Sequence, residues 1–174
     1  MEVYLVRHTE TVCEKGICYG QSDVVIKEPY LEQFEKIKVE LPENAIYYSS
    51  TLQRCTILTD YLSASSFIRD ERLKEMDFGS WEMKSWDAIP QEDMTPWMQN
   101  FVEVQVPNGE SFIQLYNRVK LFIDELLSKK ESKPIVLVTH AGVIRSVLCY
   151  YSQLPLADAF QNKVDFAQVI KINL

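Results

Sequence analysis

Cysteine and histidine are too few and too scattered for a metal site. The four cysteines are Cys13, Cys18, Cys55 and Cys149, none forms C-x-x-C, and there are two histidines. No ordinary zinc centre fits that supply, so no metal and no cofactor is expected. A reducing compartment suits the cysteines, with Cys55 and Cys149 expected as small buried hydrophobes. No apolar run is long enough to cross a bilayer. Met1 to His8 lacks a basic start and a cleavage site, so a signal peptide is not expected and the expected location is the cytoplasm. Basic charge is in deficit: 18 Lys and Arg stand against 25 Asp and Glu, a net charge of −7. Nucleic acid and acidic membranes both call for a basic face, so neither is an expected partner, and any cationic site must be built locally from chosen arginines. Low-complexity tracts, repeats and linkers are also missing. The 174 residues, 47% hydrophobic and 25% charged, therefore read as one domain over 1–174 that can bury its own core.

The periodicity that is present alternates between strand and helix. Val3 to Val6 reads as a buried strand closed by the polar run Arg7 to Thr11. Ala45 to Tyr48 reads as a second strand, with Ser49-Ser50-Thr51 as the N-cap cluster of a helix reaching about Leu62. Residues 71–100 carry three tryptophans together with Pro90 and Pro96 and should hold only short elements. Phe112, Leu115, Tyr116, Val119, Phe122, Ile123, Leu126 and Leu127 form one apolar stripe on a helix from about Ser111 to Leu127. Ile135 to Val138 suits a central strand buried on both faces, followed by a helix after His140, and Val169 to Ile172 reads as a last strand. Alternating strands and helices predict an α/β sandwich with a mostly parallel sheet, whose ligands bind at the carboxyl ends of strands.

Several catalytic devices are missing as well. There is no G-x-x-x-x-G-K-[ST], no G-x-S-x-G, no D-x-D, and no cysteine with an arginine six positions later. A P-loop, a serine elbow, an aspartyl-phosphate pair and a cysteine phosphatase loop are thereby excluded. Both histidines follow apolar strand runs, His8 after Val3 to Val6 and His140 after Ile135 to Val138. On parallel neighbouring strands both imidazoles would enter one crevice. A lone histidine there is ordinarily a hydrogen-bonded core residue. Two of them, one preceded by Arg7, favour a histidine nucleophile instead. Arginine offers a planar fork matched to phosphate oxygens, and Arg54, near a helix start, adds a second cation.

Five segments then resemble the histidine phosphatase superfamily, which includes the cofactor-dependent phosphoglycerate mutases. They are Leu5-Val6-Arg7-His8-Thr9-Glu10-Thr11, Ser49-Ser50-Thr51-Leu52-Gln53-Arg54-Cys55, Leu73-Lys74-Glu75-Met76-Asp77-Phe78-Gly79-Ser80-Trp81-Glu82, Gly109-Glu110-Ser111 and His140-Ala141-Gly142-Val143-Ile144-Arg145. They stand in the family's order and spacing over nearly the whole chain. The run Cys18-Tyr19-Gly20-Gln21-Ser22-Asp23-Val24 is most similar to the alpha-ribazole phosphatases of cobalamin assembly.

The resemblance implies a phosphoglycerate mutase-like, three-layer α/β/α sandwich and a phosphatase acting on a small phosphorylated metabolite. It implies that His8 attacks phosphorus, that Arg7, Arg54 and His140 hold the phosphoryl oxygens, and that Glu75 is the general acid and then the base. Gln21 and Ser22 are further candidates for contact with the phosphate. Neighbouring arginines should keep His8 neutral, and the arginines with the second histidine supply the positive charge a metal supplies elsewhere. Alternatives are a phosphoglycerate mutase, a broad sugar-phosphate phosphatase, and a non-catalytic phosphate-binding relative. Three positions depart from the family pattern: Thr9 and Met83 stand where glycine is common, and Glu14 falls near a usual asparagine. The sequence does not give the oligomeric state.

Overall fold

The structure is a computed structural model that describes residues 1–63 and 66–174. In chain order its elements are β1 (Glu2–Arg7), β2 (Ile17–Cys18), α1 (Leu31–Val39), β3 (Ile46–Ser49), α2 (Gln53–Leu62), β4 (Ile68–Arg69), β5 (Lys84–Ser85), α3 (Gln91–Gln99), α4 (Phe112–Ser128), β6 (Ile135–Thr139), α5 (Ala141–Ser152) and β7 (Val169–Asn173). The main sheet runs β4-β3-β6-β1-β7. All neighbours are parallel except β7, which lies antiparallel to β1.

Every residue of β6 is buried, as its unbroken apolar run requires of the central strand. Strand pleat assigns its side chains to two cores. Ile135 and Leu137 join Val3 and Leu5 of β1 against α4 and α5, while Val136 and Val138 join Val6 against α1 and α2. Helices on both faces make the three-layer α/β/α sandwich. The stripe Phe112, Leu115, Val119, Phe122, Ile123 and Leu126 is the buried face of α4. As its composition suggests, 71–100 breaks into short pieces: three 3-10 turns, β5 and the nine-residue α3. No helix among the described residues is long and apolar enough to cross a membrane.

One expectation needs correction. The Ser49–Thr51 cluster does not cap α2: the helix begins at Gln53 behind Leu52, with no side-chain cap. Ser50 is buried and turned to His140 instead, because an unsatisfied imidazole in the core costs more than an uncapped helix end. Met83, which departs from the family's glycine, has a left-handed backbone at φ +61°. The glycine common at that position is thus accounted for by conformation.

Candidate active site

The site grows from the β1–β6 ladder. Arg7 is the register partner of Thr139, so the next residue on each strand, His8 and His140, leaves the sheet at the same edge. Their ring centroids are 5.1 Å apart and both rings are buried.

Hydrogen bonds fix the tautomers. A backbone carbonyl only accepts, so His8 Nδ1 carries the hydrogen that it gives to Thr9 O at 2.7 Å. The lone pair of His8 is therefore on Nε2. An arginine Nε only donates, so His140 Nδ1 accepts from Arg54 at 3.3 Å. His140 Nε2 then carries the hydrogen and donates to Ser50 Oγ at 2.8 Å. Burial holds both imidazoles well below their ordinary pKa, and the Arg54 charge adds to it. Both are neutral at pH 7. The arginine effect read from the sequence is real but comes second to desolvation. The Cys55 thiol packs on the His140 ring, 3.5 Å from Nε2, and burial pushes its pKa up, so it is an inert spacer.

The two expected arginines are seated differently. Arg54, at the start of α2, is buried, and its Nη1 and Nη2 donate to Ser22 O at 2.7 Å and Gly20 O at 2.5 Å. Arg7 donates from Nη1 to Val164 O at 2.7 Å and lies flat on the Phe166 ring at 3.7 Å. Among the described residues neither forms a salt bridge, so no carboxylate is paired with either charge.

Glu75 joins the same edge from the 71–82 segment. Its Oε1 accepts from Met76 N at 2.9 Å, and Gly142 N at the start of α5 reaches Oε1 and Oε2 at 3.1 and 3.2 Å. A Cβ on Gly142 would lie 2.3 Å from Oε1, so glycine there admits the carboxylate. Arg118 fixes the backbone behind it, donating to the carbonyls of Arg72, Lys74 and Glu75 and making a bidentate pair with Glu110. The Gly-Glu-Ser segment thus owes its glutamate to an ion pair rather than to the substrate.

Gln21 and Ser22 are close to the site, and their donors have partners within the protein. Both amide N–H groups and Ser22 Oγ donate to Glu82, and Gln21 Nε2 donates to Glu75 O at 3.0 Å. Four residues not foreseen from the sequence border the site. Tyr19 has its ring 5.2 Å from the Arg54 guanidinium carbon. Arg145 donates from Nε to Asn162 O at 3.2 Å and has Phe160 over its guanidinium at 4.9 Å, which mirrors how Val164 and Phe166 seat Arg7. The position of Arg145 one turn into α5 was a signal for it. Nothing local marked Phe160 or Phe166.

Two openings flank this group, one at Arg7 and the other at Glu75. A cavity of about 470 Å³ is lined by Arg7, Tyr19, Phe166 and the 10–17 segment. A narrower aromatic cleft beside Glu75 is lined by Phe78, Trp97, Phe101, Phe112, Phe160 and Arg145. A neutral imidazole lone pair, unneutralised arginines and a carboxylate beside an apolar cleft can together transfer a phosphoryl group.

Comparison with known proteins agrees. The family model described as the histidine phosphatase superfamily (branch 1) matches residues 3–174. Phosphoserine phosphatase 1 of Hydrogenobacter thermophilus is 29% identical over 159 residues, covering 86% of this chain and 75% of that protein. The adenosylcobalamin/alpha-ribazole phosphatase of Escherichia coli is 26% identical over 176 residues, covering 95% and 86%. The crystal structure of the alpha-ribazole phosphatase from Shigella flexneri superposes with a TM-score of 0.91 over 100% of this chain and 91% of that one; at 23% identity the likeness is one of fold.

Proposed function

The chain belongs to the histidine phosphatase superfamily and is a phosphoric monoester hydrolase, and from that premise we propose that it turns over a small phosphorylated metabolite through a phosphohistidine on His8, with alpha-ribazole 5′-phosphate as the leading candidate substrate. The observation that carries the mechanism is the hydrogen bond of His8: Nδ1–H is tied to Thr9 O, which leaves Nε2 as a neutral nucleophile near the charges of Arg54 and Arg7.

The proposed steps use the groups at this site. His8 Nε2 forms a bond to phosphorus as the bond to the ester oxygen breaks. Arg7 and Arg54 hold phosphoryl oxygens, whose charge grows in the transition state, and His140 turns its Nε2–H from Ser50 Oγ to a third. Glu75 gives its proton to the departing alkoxide. The carboxylate so formed takes a proton from water, whose oxygen attacks phosphorus and releases phosphate and free His8. The carbonyl bond at Nδ1 also stabilises the imidazolium character that His8 gains on attack.

Two observations support alpha-ribazole 5′-phosphate. The cleft on the Glu75 side, where the leaving alcohol departs, is walled by aromatic rings, as a planar base would require. A relative that covers 95% of the chain carries that substrate in its name. The phosphoserine-named relative points to a different alcohol, so the test is a panel.

Phosphate release would be measured from alpha-ribazole 5′-phosphate, L-phosphoserine, 3-phosphoglycerate and common sugar phosphates. A preference of several hundredfold in kcat/KM, roughly 3–4 kcal/mol of transition-state binding, is expected for alpha-ribazole 5′-phosphate. Level rates across the panel would remove that substrate and leave the mechanism standing. Rapid isomerisation of 3-phosphoglycerate with 2,3-bisphosphoglycerate would make the protein a mutase. Undiminished turnover in His8→Ala would refute the phosphohistidine.

A further inference from the structure

Glu82 has no part in the mechanism above, yet it is among the most heavily hydrogen-bonded side chains near the site. Its carboxylate accepts from Gln21 N at 2.7 Å, Ser22 N at 2.6 Å, Ser22 Oγ at 2.5 Å and Phe78 N at 3.1 Å. The opposite side of the same loop faces Arg54, whose Nη2 and Nη1 donate to Gly20 O and Ser22 O. The carbonyl of Gly20 and the N–H of Gln21 belong to one peptide unit. That unit therefore lies between a carboxylate and a guanidinium, with its N–H on the anion and its C=O on the cation.

A peptide dipole of about 3.5 D aligned this way is polarised from both ends, and each bond strengthens the other. Both contacts are also charge-assisted, roughly twice as strong as neutral ones. We propose that Glu82 is a positioning residue for Arg54, aiming its guanidinium at the phosphoryl group through the Gly20–Gln21 peptide.

The arrangement solves a problem that a direct ion pair would create. A carboxylate placed on Arg54 would compete with phosphate for the same N–H groups. Carbonyls carry no net charge, so they hold the guanidinium without neutralising it. Of the five N–H groups of an arginine, Nε is on His140 and one on each terminal nitrogen is on a carbonyl. Two remain, one on each terminal nitrogen, for phosphoryl oxygens. Gly20 belongs to the same device. Its φ is +36°, and a Cβ there would sit 2.3 Å from Glu82 Oε1, so only glycine lets the carboxylate close on the loop. The donors of Gln21 and Ser22 then serve the arginine rather than the substrate.

This proposal rests on the phosphoryl-binding role of Arg54, and a double-mutant cycle separates the two. Glu82→Gln, Arg54→Gln and the double variant would be compared for 4-nitrophenyl phosphate turnover, with thermal unfolding as a check on folding. Glu82→Gln conserves volume but presents N–H groups to N–H donors. It is expected to lower kcat by about 10-fold with little change in KM, and to cost less than about 2-fold further in the Arg54→Gln background, a coupling of the size neighbours in one network show. Gly20→Ala, which displaces the carboxylate but keeps its charge, is expected to couple to Arg54 in the same way. It replaces Glu82→Gln in the cycle should that variant fail to fold. Losses that simply multiply would overturn the proposal while leaving Arg54 in the mechanism. Full activity of Arg54→Gln would instead overturn the underlying role of Arg54, and this proposal with it.

Discussion

Replacing Glu75 with glutamine should separate the two halves of the catalytic cycle. The change is mild for the fold. Glu75 Oε1 accepts from Met76 N and Gly142 N at 2.9 and 3.1 Å, and a glutamine oxygen in that place keeps both bonds. Only the 3.2 Å contact of Oε2 is lost, replaced by an amide facing Gly142 N. The expected stability loss is about 1 kcal/mol, a Tm drop of roughly 2–4 °C for a chain of this size. The chemical cost is larger. A positioned general acid contributes roughly 10²–10⁴ in rate, or about 3–5 kcal/mol, but only where the leaving oxygen needs a proton. An alkyl phosphate needs one, whereas 4-nitrophenolate leaves without it. Stopped-flow measurement of Glu75→Gln with 4-nitrophenyl phosphate should therefore give a burst of one nitrophenolate per enzyme at close to the native rate. A slow steady state should follow, since water still lacks its base. On an alkyl phosphate the first turnover itself should fall by the full factor. An equal first-turnover loss on both substrates would show that Glu75 is not the acid.

Further expectations concern pH, strain and support. Both histidines are held below their ordinary pKa by burial and then by Arg54, and a protonated His8 has no lone pair. The kcat/KM profile should therefore stay level as pH falls past about 6.5, and Arg54→Gln should move its acid limb toward neutrality; an unmoved limb would show that Arg54 does not act on His8. Stability responds at higher pH than activity does. The unfolded chain binds these protons first as pH drops below about 6.5, so the two groups make folding weaker on the acid side. Met83 has φ +61° and a side chain in solvent, so Met83→Gly should raise stability by about 0.5–1 kcal/mol; an unchanged or lower Tm would show that the turn is not strained. Arg118 and Glu110 are each 19% exposed, so Arg118→Met leaves a largely buried carboxylate behind and should cost about 3–5 kcal/mol in urea unfolding. A loss under about 1 kcal/mol would refute that supporting role.

The parts of this protein that could be read from its sequence are those where one physical signal dominates. Ile135 to Val138 is apolar at every position, and a strand covered on both sides is what such a run forms. The stripe of α4 repeats over several turns. His8 and His140 followed from their places after such strands, and parallel pairing brings them together. Helix α1 left a fainter trace, since only Phe34 and Ile37 of its nine residues are buried. The two-residue ribbon of β2 and β5 has no periodicity to detect. What supports the site was hidden for another reason. Glu82 meets Ser22 across 60 positions and Arg118 meets Glu75 across 43. Such pairings exist only once the chain is folded. Ser50 misled because a serine before a helix reads as a cap, and only the tertiary structure puts an imidazole within its reach.

The ladder between β1 and β6 has one more consequence. Parallel strands sit about 4.8 Å apart whatever their side chains, and the two imidazole centroids lie 5.1 Å apart at the ends of two such strands. The sheet is thus a ruler for the two imidazoles, and the measurement is made in backbone hydrogen bonds that no side-chain exchange between ordinary residues rewrites. Segments 10–24, 76–110 and 160–166, which contribute to the two openings, lie outside the main sheet and are free to diverge. If His8 is the nucleophile as proposed, a lineage can exchange one phosphate ester for another by rewriting loops, with the spacing of the two imidazoles left untouched.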